Sequence, residues 1–123
     1  MCVLLVVCTC VCSVDSADYT LNETIALFHG ASAVIGVSGA GFANLAFASP
    51  PTVALQLIPA ITHVRLPCGL TPWWHLSEVI GVTMRSLVVE DASFSGAPFA
   101  VPAKDFGKWL RGVHSAVQAV KRR

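Results

Sequence analysis

Ala33-Val34-Ile35-Gly36-Val37-Ser38-Gly39-Ala40-Gly41-Phe42-Ala43-Asn44 is the stretch on which the fold turns. Ala33 to Val37 is a short apolar run rich in β-branched residues, the pattern of a fully buried strand. Ser38 to Gly41 then brings two glycines within four positions. The residues from Phe42 to Phe47 are apolar enough to form a short helix of about two turns. Strand, glycine turn and helix in that order build a phosphate-binding site. Glycine lets the backbone approach an anion, and the free N–H groups at the helix start supply donors and a favourable dipole.

The flanking segments repeat the alternation. Thr20 and Glu23 have capping-box spacing ahead of a helix from Leu21 to about Ser32, with Leu21, Ile25 and Phe28 on one face and Gly30 near its end. Ser49-Pro50-Pro51 closes the segment after the glycine turn, because a proline disfavours helical geometry in the residue before it. Thr52 to Ile58, ending at Pro59, reads as a second buried strand, and Ala60 to Leu70 as a loop. Thr71-Pro72 is a helix start, and that helix runs to Ile80 with Gly81 as its stop. Thr83 to Val89 reads as a strand and Glu90 to Pro102 as a loop. A last helix spans Ala103 to about Val120, with Trp109, Val113, Val117 and Val120 as its apolar stripe and Leu110 beside them. Alternating strands and helices predict an α/β fold: a Rossmann-like parallel sheet with flanking helices.

Composition bounds the function. The chain has 123 residues, is 54% hydrophobic and 12% charged, and carries a net charge of +1. Its mean hydropathy is +0.68. That apolar balance implies membrane contact or a face covered by another domain, and the charge makes no electrostatic case for nucleic acid. The basic end Lys121-Arg122-Arg123 reads as a solvated helix terminus. Met1 to Val14 lacks any charge but is shorter than the roughly 20 residues a spanning helix needs. Residues 1–19 thus form an apolar segment to be read as a strand (Val3 to Val7 or slightly beyond), a signal-peptide core or the remnant of a longer chain. Residues 20–123 form the domain. Cys8, Cys10 and Cys12 have strand periodicity rather than metal-ligand spacing, so no metal site is expected. Asn22-Glu23-Thr24 is a glycosylation sequon.

The glycine turn admits several chemistries. Gly39-Ala40-Gly41-x-x-Asn44 is a degraded dinucleotide fingerprint with asparagine as its third member, and no acidic residue stands about 20 positions on. Gly36-Val37-Ser38-Gly39-Ala40 resembles a nucleophile elbow with alanine for the last glycine. A serine hydrolase would then draw its acid from Glu78, Glu90, Asp91 or Asp105, and its base from His75 or His114. A tight turn without a ligand is the plain alternative. Trp73 and Trp74 serve packing or stack on a base or sugar. His63 and His75 are candidate cleft residues, and His29 is a helix-end residue.

A longer run decides among these. From Glu23 through Phe47 the sequence resembles the C-terminal part of family 61 glycosyltransferases, in which a helix leads into Ala-Asp-x-x-x-Gly-x-His-Gly-Ala-Gly-Leu-x-Asn-x-x-Phe. A proline-containing turn and a strand ending near Glu-x-x-Pro follow, places held here by Pro50-Pro51 and by Leu55 to Pro59. Trp73-Trp74-x-Leu76 and Val79 to Val82 resemble the next helix, so the likeness covers Thr20 to Val89. It implies the C-terminal half of a GT-B glycosyltransferase, of pentosyl- or N-acetylglucosaminyl-type, working on a glycan or glycoprotein in the Golgi or endoplasmic reticulum. The donor would be a nucleotide-sugar, UDP-linked, held by Ser38, Gly39, Ala40, Gly41, Phe42, Asn44 and Gln56. No metal or further cofactor is implied. No catalytic residue is assigned, and the acceptor domain would lie outside the chain, so the isolated chain is expected to show little or no transferase activity. Two positions depart from the family pattern: Ser38 stands for its histidine and Gln56 for its glutamate. Those departures favour the alternative of a non-catalytic relative acting as a binding or interaction module.

Overall fold

The computed structural model describes residues 2–7, 10–60, 71–89 and 101–121. Five strands form one sheet: β1 (Cys2–Val7), β2 (Cys10–Asp15), β3 (Ala33–Val37), β4 (Val53–Pro59) and β5 (Thr83–Val89). The spatial order is β2-β1-β3-β4-β5. β3, β4 and β5 are parallel, as the alternating pattern predicts. The remaining two strands add an antiparallel flank: β1 pairs antiparallel with both β2 and β3. Part of the residue 1–19 segment is therefore strand, and it extends the sheet beyond the parallel unit.

Three α-helices accompany the sheet: α1 (Leu21–His29), α2 (Thr71–Ile80) and α3 (Ala103–Lys121). The Thr20 N-cap is formed as its spacing predicts: the Glu23 N–H donates to Thr20 Oγ1 at 3.4 Å, and the Thr20 N–H donates to Glu23 Oε2 at 2.8 Å. Hydrogen bonds from the Thr20 side chain and backbone hold the Glu23 carboxyl below its ordinary pKa. α1 stops at His29, three residues earlier than the pattern predicts, because the Gly30 N–H caps it on the Ala26 and Phe28 carbonyls.

Alternation along the strands divides the core in two. On one face Val34, Ala54 and Met84 pack with Phe28 of α1, with Phe42 and Leu45, and with Trp73 and Leu76 of α2. On the other, Ile35, Leu55 and Leu57 meet Phe106 and Trp109 of α3. Ala33, Val53 and Val113 continue that second layer. β4 lies between the layers and is buried throughout, which explains why it reads as an apolar run. Leu110, placed beside the α3 stripe on sequence, is 40% exposed. Most of the two segments expected as loops, Ala60 to Leu70 and Glu90 to Pro102, lies outside the described residues, with His63, Cys68, Glu90 and Asp91, as do Cys8 and the side chains of Val117 and Val120.

Two connections position the sheet ends. Thr52 is buried, and its hydroxyl lies 2.7 Å from the Ala31 carbonyl and 2.6 Å from that of Ser49, tying the start of β4 to the start of β3. Gly81 ends α2 with φ +72°, and a Cβ there would lie 3.1 Å from Pro50 Cγ. Left-handed backbone costs a residue with a side chain about 1–2 kcal/mol. Gly81→Ala should therefore lower the unfolding free energy by about that amount, read as a lower urea midpoint. An unchanged midpoint would contradict the left-handed stop.

Candidate nucleotide-sugar site

The glycine turn leaves β3 at its carboxyl end, where open parallel sheets present their ligand crevices. The Ser38 N–H still donates to the Leu57 carbonyl at 2.8 Å, so the turn starts from a backbone already pinned to β4. Gly39 is extended, with φ 163°.

The segment that follows is the short helix expected there, beginning two residues ahead of Phe42. It is a 3-10 helix, Ala40–Phe47. The reason is its periodicity. Phe42, Leu45 and Ala48 are buried, while Ala40, Ala43 and Ala46 are exposed. A repeat of three matches three residues per turn and lays one apolar row against the core.

Donors at the turn follow from this geometry. The Phe42 N–H donates to the Gly39 carbonyl at 3.0 Å. It is therefore engaged within the helix, and the sequence expectation of four ligand-facing N–H groups is reduced. The N–H groups of Gly39, Ala40 and Gly41 precede that bond, as the first donors of any helix do. The Phe42 side chain is 1% exposed and lies 6.4 Å from the Trp73 ring, centroid to centroid. Phe42 thus packs the core beneath the turn. Asn44 is half-buried and forms no side-chain hydrogen bond among the described residues.

Gln56 and Ser38, the two departures from the family pattern, touch each other. Gln56 Nε2 donates to Ser38 Oγ at 2.7 Å. At 0% exposure the Gln56 side chain has no surface to offer a ligand, and its place is behind Ser38. Register explains the contact: Gly36, Gln56 and Ser86 stand side by side on β3, β4 and β5, and Ser38 lies two residues beyond Gly36 on the same face. Ser86 Oγ donates to Gln56 Oε1 at 3.2 Å, and Trp74 Nε1 donates to Ser86 Oγ at 3.2 Å. Spacing along the chain did not point to Ser86.

The elements of a hydrolase are not assembled around Ser38 among the described residues. Its partner is an amide, not an imidazole. His75 lies on the solvent side of α2, with Nδ1 3.8 Å from Glu78 Oε2. His114 is exposed on α3, the helix that packs on the sheet face opposite Phe42 and Trp73. No three of His, Cys, Asp and Glu cluster as metal ligands among the described residues.

The segment that carries this turn is also similar to a known family. Residues 10–55 match the family model of Glycosyltransferase 61. The matched stretch runs from the start of β2 through α1, β3, the glycine turn and the 3-10 helix, and ends in β4 one residue before Gln56. It supports the family 61 resemblance over the glycine turn and reaches further toward the amino end than that resemblance did. No curated protein and no solved structure matches the chain. No helix of the described residues is long and apolar enough to cross a membrane.

Proposed function

We propose that this chain is the sugar-nucleotide-binding part of a family 61-type glycosyltransferase, with the donor diphosphate seated on the glycine turn. The observation that carries the reading is the coincidence of the family match at residues 10–55 with the turn at the carboxyl end of β3. The N–H groups of Gly39, Ala40 and Gly41 and the Ser38 hydroxyl would meet the diphosphate oxygens. Donors fixed in place before reaction stabilise the charge that develops as the nucleoside diphosphate departs. Phe42 would hold the turn from below, and Asn44 stands one helical turn further on.

The donor in this reading is a UDP-sugar and the acceptor a glycan or glycoprotein of the secretory pathway, in a GT-B enzyme whose other half supplies the acceptor site. An inverting transfer also needs a base for the acceptor hydroxyl. The turn offers only neutral groups, so that base belongs to another part of the enzyme, and the chain alone should transfer little or no sugar.

The uncharged Ser38–Gln56 pair favours a second reading, a relative that binds without catalysing. A calorimetric titration of the chain with UDP, UDP-xylose and UDP-N-acetylglucosamine, without metal, tests the first. Saturable binding that is lost in Gly39→Val is the expected result, because a branched side chain blocks the anion's approach to the backbone. Absence of binding by a sample with a cooperative melting transition would overturn the donor-site reading.

A further inference from the structure

We infer that Gln56 and Ser86 are positioning residues whose hydrogen bonds run one way, from Trp74 to Ser38, and leave the Ser38 hydroxyl proton for the ligand. The inference rests on the donor-site reading above. Its direction is set where Ser86 meets Gln56. Ser86 Oγ accepts from Trp74 Nε1, an indole N–H that can only donate, and the Ser86 hydroxyl donates to the oxygen of the Gln56 amide. That orients the amide with its nitrogen toward Ser38, and Nε2 donates to Ser38 Oγ.

Ser38 is thus an acceptor on the protein side. Its own proton has no acceptor among the described residues. Ser38 is itself buried, at 6% exposure, and immediately precedes the three turn N–H groups, so its hydroxyl is a fourth neutral donor to a ligand seated directly against the turn. A reversed amide would take the Ser38 proton onto Oε1 and remove that donor. The serine at the histidine position of the family pattern therefore keeps one of the two abilities of an imidazole, donation, because a chain of three side chains behind it sets its polarity. Each link comes from a different element: Trp74 from α2, Ser86 from β5, Gln56 from β4.

The test is UDP affinity of the full chain in a double-mutant cycle. Ser86→Ala should weaken UDP binding by roughly threefold to tenfold, the worth of one net hydrogen bond, and Ser86→Thr should restore it. In a Ser38→Ala background, Ser86→Ala should change nothing further, because its effect passes through that hydroxyl. Equal losses in both backgrounds, or no loss in either, would overturn the relay while the donor site stands. So would Ser38→Ala binding UDP as tightly as the parent. No UDP binding by the folded parent chain would overturn the donor site and the relay with it. Ser86 is solvent-exposed, so its variants should fold, and melting curves check that they do.

Discussion

Phe42→Ala should destabilise the chain by about 3–5 kcal/mol, the range for deleting a buried aromatic side chain. Phe42 is 1% exposed, sits in one layer with Phe28 and Leu45, and tilts at 36° against Trp73. Alanine there leaves a cavity bordered by α1, α2 and the sheet, three elements that cannot all move inward. For a domain whose total stability is about 5–15 kcal/mol, the loss is a fifth or more. Phe42→Leu keeps most of the volume and places the residue of the family pattern at this position, so it should cost less than about 1.5 kcal/mol. Urea unfolding followed by tryptophan fluorescence measures both. An alanine variant within 1 kcal/mol of the parent would show that Phe42 does not lie under the turn.

Leu55→Ala should cost about 2–5 kcal/mol. Leu55 is 0% exposed in the central strand and packs in the opposite layer, with Ile35, Leu57, Phe106 and Trp109. It is the neighbour of Gln56 in sequence but faces the other way, so the variant probes the docking of α3. A chain of this size loses about 4 °C of melting temperature per kcal/mol, which predicts a fall of roughly 8–20 °C by calorimetry. A fall under a few degrees would mean that α3 does not bury this face of β4.

The inner strands β3 and β4 were legible because burial on both faces leaves little room for anything but apolar residues. Ala33–Val37 and Thr83–Val89 have the bounds their sequence predicts, as does the helix Thr71–Ile80. The hairpin was not legible. β1 ends at Val7 and β2 begins at Cys10, and Cys8-Thr9 between them carries none of the glycine or asparagine signals of a two-residue turn. The short helix after the glycine turn was legible but its type was not, although its period of three was present in Phe42, Leu45 and Ala48. With only eight residues, that period is hard to separate from 3.6.

At the site, the glycine turn was visible because its residues are contiguous. The partnership of Ser38 with Gln56 and Ser86 was not. It depends on strand register, which brings together positions that sequence separation keeps far apart. Gln56 was assigned to the ligand because it stands at the strand position where the family pattern has a glutamate. In the structure Gln56 is fully buried and donates to Ser38.

The 3-10 helix also solves a problem of reach. The chain leaves β3 at its carboxyl end and must return along the sheet to begin β4 beside Ala33. Five strand residues advance about 16 Å. Eight residues wound at 2.0 Å each span about 16 Å, whereas an α-helix of the same eight would span about 12 Å. The 3-10 winding thus matches the strand's length within the helix itself and leaves Ala48 to Thr52 for the turn into β4.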